Sequence, residues 1–297
     1  MAREVSTQDQ AYLKPVEDGL AMRPAGIWAR EKLDYLRRYI DVFETAMRNK
    51  WSVRHYIDLF AGPGKNIDRD SGTVFLGSPL VALNTTYPFT DYFFVDACEE
   101  NVETLQERCA ASPHSDKVHI RTGDCNEVVD KIVGQIEPDD WCSLNLTFLD
   151  PEGMEMRWDT VVRLADLRRM DLIINYPQGG LNRCMPLAVE AEEETSVDAF
   201  FGSREWRVIY RESYVQGKTS GLHRKLIDLY KSRLKDLGYR QVLAANQIGD
   251  EPLIRNIRRS APLYRLLFAS KHPLGHDFWH KVTRRDIYGQ QRLDLPH

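Results

Sequence analysis

Two spacings of apolar residues alternate along this chain, and each predicts an element. Over 27–50, Leu33, Leu36, Ile40, Phe43 and Met47 recur three and four residues apart. They form one stripe of a helix, with Arg37, Arg38, Asp41 and Glu44 off it. That helix is expected to pack beside the first strand. Lys32 and Tyr35 read as packing or solvated residues rather than cofactor contacts. Short apolar runs over 55–60, 92–95, 118–121, 144–149 and 171–175 predict five strands. Between them, 101–109, 128–136 and 160–168 read as helices. Ser78-Pro79 reads as another helix start, an N-cap followed by proline at the first helical position. Residues 63–77 read as a connecting loop, long enough to serve as a lid or binding loop.

After the fifth strand the repeat breaks. Residues 182–218 read as a helical insertion with an acidic run (Glu190, Glu192, Glu193, Glu194) and the aromatics Phe200, Phe201, Trp206 and Tyr210. The acidic run reads as a solvated helix face. An amphipathic helix over 222–237 ends at Gly238, a good C-cap. Two closing strands are expected over 239–245 and 263–269, joined by a loop over 246–262, and a last helix over 277–285. The whole predicts an α/β fold: a Rossmann-like, seven-stranded, mostly parallel sheet whose last strand is antiparallel, with a helical N-terminal extension. One domain is expected over 25–290, with a flexible segment over 1–24 and a tail over 291–297.

Composition narrows the classes. The chain has 297 residues, 42% of them hydrophobic, enough for one large α/β domain with insertions. The net charge is −4, which excludes a global basic signature for nucleic acid. Five cysteines with no C-x-x-C argue against a disulfide framework or zinc ribbon and fit a reducing cytoplasm. No metal site is expected. No apolar run reaches membrane-span length and the N-terminus is polar, so neither a membrane anchor nor a signal peptide is expected.

The candidate chemistry centres on Tyr56-Ile57-Asp58-Leu59-Phe60-Ala61-Gly62-Pro63-Gly64, a buried strand breaking into a glycine turn. Dinucleotide enzymes need G-x-G-x-x-G, but here Ile67 stands at the third glycine, which disfavours a nicotinamide cofactor. Gly64-Lys65-Asn66 lacks the Ser/Thr of a P-loop. The turn suits S-adenosylmethionine (SAM), which carries no phosphate. Asp58 is placed to accept from an ammonium or a loop amide, with Phe60, Ala61, Gly62, Pro63 and Gly64 around the cofactor. Asp96, with Ala97 beside it, ends the second strand, where a carboxylate can take both ribose hydroxyls. Asp124, followed by Cys125 and Asn126, is placed either to accept the exocyclic amine of adenine or to make an ordinary Asx turn. Asp150 ends the fourth strand, placed to orient a nucleophile or act as a base, and Pro151 offers a carbonyl without an N–H. Trp158 is placed to pack or to stack on a base. Arg255, Arg258 and Arg259 are candidates for contact with a phosphate backbone. His272, His276 and His280 read as structural.

With these residues placed, the chain resembles the three-Cys-motif partner protein family (TcmP). The resemblance spans about 27–290. It rests on the 56–64 stretch, on Gly77-Ser78-Pro79-Leu80, and on Phe148-Leu149-Asp150-Pro151-Glu152-Gly153 with Trp158. It continues in Gly180-Leu181-Asn182-Arg183, in Phe201-Gly202 with Trp206, and in the run 264–275. It implies a SAM-dependent methyltransferase domain of class I and a functional link with a separate protein bearing a three-cysteine motif, similar to radical-SAM-type proteins. The fourth-strand motif departs from the D-P-P-Y of methyltransferases acting on adenine, because Glu152 and Gly153 fill its last two places. The alternative is a binding partner that keeps SAM without catalysis.

Overall fold

The computed structural model describes residues 13–215, 217, 221–240, 250–256 and 260–285. The chain forms two compact units, one ending at Leu149 and one beginning at Asp150. In the first unit the elements are β1 (Arg23–Ala25), α1 (Trp28–Met47), β2 (Val53–Asp58), β3 (Lys65–Asp68), β4 (Val74–Leu76), α2 (Ser78–Leu83), β5 (Asp91–Asp96), α3 (Glu99–Ala110), β6 (Val118–Thr122), α4 (Cys125–Ile136) and β7 (Ser143–Leu149). In the second they are α5 (Trp158–Ala165), β8 (Met170–Tyr176), α6 (Gln178–Ala188), α7 (Ser196–Phe201), α8 (Glu205–Val215), α9 (Leu222–Asp236), β9 (Leu253–Arg255), β10 (Pro262–Ala269) and α10 (Pro273–Thr283).

The main sheet has seven strands in the order β6-β5-β2-β7-β8-β10-β9. β2 pairs in parallel with β5 and β7, and β5 with β6. β10 runs antiparallel to β8 and to β9. This is the Rossmann-like, class I methyltransferase arrangement that the sequence predicts. The central strands are legible as apolar runs because both faces of a parallel sheet are covered. Tyr56, Ile57, Phe94, Leu146, Phe148, Ile173 and Ile174 are all buried. The α1 stripe of Leu33, Leu36, Ile40, Phe43 and Met47 is buried as a set, and Tyr35 and Lys32 are buried with it.

Several expectations change. The segment 63–77 is not a loop: β3 and β4 form an antiparallel hairpin, and β1 adds to β3 in parallel, giving a separate three-stranded sheet. Its turn is built by Asp68, whose carboxylate accepts from the Ser71 amide at 3.1 Å, while the Gly72 amide reaches the Asp68 carbonyl at 2.9 Å. The N-cap of α2 is Gly77, one residue before the expected Ser78, with extended backbone (φ −80°, ψ 173°). Most of the strand expected over 239–245 lies outside the described residues. β9, which pairs with β10 on the side away from β8, lies inside the stretch read as a loop. α10 starts at Pro273 rather than 277, because the His272 ring Nδ1 caps the Leu274 amide at 3.2 Å and proline follows it.

In the second unit the expected insertion is three helices. Thr195 and Asp198 form a capping box at α7. The Asp198 carboxylate also holds Arg207 (Nε 2.9 Å, Nη2 2.5 Å) and the Trp206 indole N–H (2.9 Å). Arg207 in turn reaches the Ala191 carbonyl, and Arg204 reaches that of Glu192. Glu190, Glu192, Glu193 and Glu194 are exposed as expected, but they lie in the connection between α6 and α7 and not on a helix face. Phe200 stacks on Tyr230 with ring centroids 5.1 Å apart, and Trp158 meets the same tyrosine edge-on at 5.0 Å.

Candidate functional site

The glycine turn follows directly from the buried end of β2. Asp58 is fully buried, and its Oδ1 accepts from the Phe60 amide at 3.1 Å, the loop-amide role open to it in sequence. The Ala61 amide donates to the Val95 carbonyl at 2.8 Å, and the Gly62 amide to Asp96 Oδ2 at 2.8 Å. Pro63 has no N–H, and its carbonyl accepts from Arg108 Nη1 at 2.5 Å. Gly62 and Gly64 have φ of +60° and +90°, which L side chains disfavour. A Cβ on Gly64 would also lie 2.9 Å from Leu105 Cδ1 and 3.2 Å from Leu80 Cγ, so the turn is pressed against α3 and α2.

Asp96 is clasped from both sides. Its Oδ1 accepts from the Cys98 amide at 2.9 Å and from Asn101 Nδ2 at 3.0 Å, and its Oδ2 accepts from the Gly62 amide. A carboxylate oxygen has about two acceptor directions. Among the described residues, the acceptor direction left is on Oδ2. Ala97 is exposed beside it. The Gly123 amide donates to the Asp96 carbonyl at 3.0 Å, which brings the next loop to the same strand end. There Asp124 caps α4: its Oδ1 accepts from the Asn126 amide at 2.8 Å and from Asn126 Nδ2 at 2.7 Å. The Asx-turn reading of Asp124 is thus realised on Oδ1, and the side chain stays exposed for a further donor at Oδ2. Cys125 is buried.

The sequence missed what lies next to this turn. Asp18, in the stretch expected to be loose, pairs with Arg108 (Nε 2.9 Å, Nη2 2.7 Å) and with Lys65 Nζ at 2.8 Å. Both cations are buried, at 1% and 0% side-chain exposure. Burial opposes the Asp18 charge, but the hydrogen bonds from Arg108 and Lys65 outweigh it and hold the carboxyl well below its usual range.

The second unit holds its own polar cluster. The Asp150 carboxylate accepts from Asn175 Nδ2 at 2.7 Å, and both residues are buried. Pro151 is buried and Glu152 exposed. The Tyr176 hydroxyl lies 3.1 Å from His223 Nδ1, and His223 Nε2 lies 2.8 Å from Asn182 Oδ1. Burial and then the Arg265 charge push the His223 imidazole down to about 4. The ring is therefore neutral at pH 7. Because Asn182 Oδ1 only accepts, Nε2 carries the proton and Nδ1 accepts from the tyrosine. Arg265, paired in register with Tyr176, donates from Nε to Gln178 Oε1 at 3.2 Å. Trp158, at 4% exposure, takes its packing role rather than a stacking one. Arg255 is exposed on β9 and donates to the Ser260 carbonyl at 2.9 Å; Arg258 and Arg259 lie outside the described residues. His276 meets the Ser270 carbonyl at 3.3 Å and His280 meets Asp250 at 2.7 Å.

No protein-family model matches the sequence, and no curated protein matches it. Among solved structures, it is similar to protein LPL1258 of Legionella pneumophila, with 14% identity over 56% of this chain and 74% of that one and a TM-score of 0.41. It is also similar to MMP1179 of Methanococcus maripaludis, a candidate S-adenosyl-L-methionine-dependent methyltransferase, at 10% identity, 81% and 89% coverage and a TM-score of 0.33. For YjhP of E. coli the figures are 11%, 78%, 91% and 0.30. Likeness at this level says nothing about activity. Among the described residues, no helix is long and apolar enough to cross a membrane.

Proposed function

We propose that this chain is a SAM-dependent methyltransferase of the three-Cys-motif partner type. The observation that carries the reading is the Gly62–Asp96 clasp, which ties the glycine turn after β2 to the carboxylate at the end of β5 at 2.8 Å. In an open parallel sheet, ligands bind at this edge. The acceptors there fit SAM by their chemistry: Asp96 Oδ2 suits a ribose hydroxyl and Asp124 Oδ2 suits the adenine amine. The turn itself presents no phosphate cradle. Bound SAM supplies a methyl group already activated on a sulfonium. The protein's task is then to hold the acceptor in line, with Asp150 oriented by Asn175 as the carboxylate assigned to it. Five free thiols suit a reducing, cytoplasmic setting.

One observation favours the second reading, a SAM-binding partner without catalysis. An adenine methyltransferase needs an aromatic face for the flipped base. Glu152 and Gly153 offer none, Trp158 is packed on Tyr230, and Tyr176 is fully buried against His223. The acceptor is therefore better sought outside flipped adenine. A three-cysteine-motif partner is one source, and a nucleic acid whose phosphate backbone Arg255 contacts is another.

Calorimetric titration with SAM, beside an Asp96→Ala variant, tests the cofactor pocket. Wild-type binding in the micromolar range that the variant weakens by about 1.5–3 kcal/mol supports it, as expected for a hydrogen bond to a charged group. No wild-type binding, with or without the three-cysteine partner, removes the reading. Labelled SAM with the partner present then separates catalysis from binding alone.

A further inference from the structure

Past the carboxyl end of β8 stands a group of donors without acceptors. α6 starts there behind Pro177, which offers no side-chain cap. The Leu181 amide donates to the Pro177 carbonyl at 2.9 Å. The amides of Gln178, Gly179 and Gly180 precede it, and have no acceptor among the described residues. Gln178 is 7% exposed. Its Oε1 accepts from Arg265 Nε at 3.2 Å, which assigns the oxygen to that side and leaves Nε2 on the other arm of the amide. Nε2 is a double donor and has no acceptor among the described residues.

Arg265 is the third part. It is half-buried on β10, and among the described residues no carboxylate lies within ion-pair distance of it and no acceptor meets its Nη1 or Nη2. The Glu251 carboxylate that acts on it is already held by Arg224 at 2.7 Å and by Lys231. Burial lowers the Arg265 guanidinium from its ordinary value, Glu251 opposes that, and Arg224 and Arg255 add to it. The group stays charged all the same. The stretches of sequence 241–249 and 257–259, outside the described residues, carry no Asp or Glu. Gly179 brings the parts together. A Cβ there would lie 3.3 Å from the Pro262 carbonyl oxygen and 3.4 Å from that of Leu263, so α6 starts pressed against β10, two residues from Arg265.

We infer that Arg265, Gln178 and the first turn of α6 bind a phosphate group carried by the methyl acceptor. The acceptor's part in this rests on the methyltransferase reading; the anion site does not. All of these residues belong to the unit that begins at Asp150, as do Asp150 and Asn175. A guanidinium taken from water without a counter-charge is costly, and a bound anion offsets that cost. A helix N-terminus favours the same charge. The donors come from a guanidinium fork, a side-chain amide and backbone amides, more than the two oxygens of a carboxylate require.

Calorimetry on the full chain, at constant ionic strength, compares inorganic phosphate with acetate for wild type, Arg265→Gln and Gln178→Glu. Gln178→Glu gives Arg265 a carboxylate of its own, so it fills the site while keeping the contact between α6 and β10. Phosphate is expected to bind the wild type, with acetate weaker by about ten-fold and phosphate binding to each variant weaker by about ten-fold or more, the scale of a lost charged hydrogen bond. SAM binding to both variants should stay within about two-fold of wild type, which also shows that they fold. Thymidine 5′-monophosphate and oligothymidylate then separate the two sources of phosphate. A strand that engages several phosphates loses affinity steeply with salt, and a small phosphorylated acceptor does not. Either source supports the inference where binding needs Arg265. Phosphate that does not bind, that binds all three proteins equally, or that binds no tighter than acetate overturns it and leaves the cofactor reading standing. A wild type that binds phosphate but not SAM removes the methyltransferase reading, and the acceptor's part with it.

Discussion

At the scale of single residues, the most consequential group is one that no motif marks. Asp18 neutralises two cations that have almost no water around them, Lys65 and Arg108. Removing a carboxylate from such a pair leaves buried charge without compensation, which costs far more than a surface ion pair. Asp18→Asn is expected to destabilise the protein by about 3 kcal/mol in urea unfolding. Asp34→Asn is the control. It loses pairs with Arg37, which is half exposed, and Arg38, and should cost less than about 1 kcal/mol. The pH dependence follows from the direction of the shift. The Asp18 carboxyl titrates lower in the folded protein than its ordinary 3.8, so its contribution is complete above 3.8 and is lost as acid protonates it in the folded state. The gap between wild type and variant should therefore narrow below pH 3.8 and hold steady above it. Equal stabilities at neutral pH would show that the Asp18 pairs with Lys65 and Arg108 do not hold the fold.

At the scale of elements, legibility in the sequence followed burial. The strands β2, β5, β6, β7, β8 and β10 stand out as apolar runs, five of them ending in or beside an acid, asparagine or threonine, and α1 stands out as a stripe. β1, β3, β4 and β9 do not, because strands of three or four residues are too short to show a period. The Asp18 contacts span 90 residues in the case of Arg108, and no local pattern encodes such a partner. The candidate site divides the same way. Asp96 and the glycine turn were readable from strand ends, whereas Asn175 as the partner of Asp150 needed the fold. Trp158 shows why a residue type alone does not decide a role. Gly202, which ends α7 at φ +61°, comes so close that a Cβ there would lie 2.5 Å from Trp158 Cγ. The indole is fixed by that contact and by Tyr230. Gly202→Ala should cost at least about 2 kcal/mol, combining left-handed backbone strain with overpacking. Gly134→Ala, inside α4 with nothing within 4 Å of its Cβ, should instead stabilise by about 0.5–1 kcal/mol. Chemical denaturation of the pair checks both signs.

At the scale of the whole molecule, the proposed cofactor residues Asp58, Phe60 to Gly64, Asp96 and Asp124 all belong to the unit that ends at Leu149. Asp150, Asn175, Tyr176 and His223 belong to the unit that follows. Binding stabilises what carries the site, by RT ln(1 + [L]/Kd), or about 2.7 kcal/mol at a hundred-fold excess over Kd. For a unit of this size that corresponds to a rise in melting temperature of roughly 5–10 °C. If heat unfolds the chain in one transition, all of it should shift with SAM. If the units melt separately, the transition of the first should shift and that of the second should not. Hydrogen exchange distinguishes the cases by peptide. SAM should slow exchange at the amides of 60–62, 98 and 123, which are the donors already engaged around Asp58, Val95 and Asp96. Asp96→Ala should reduce both the thermal shift and the added protection at the same SAM concentration. Protection confined to peptides after Asp150 would move the cofactor away from the glycine turn, and the assignments of Asp96 and Asp124 would fall together.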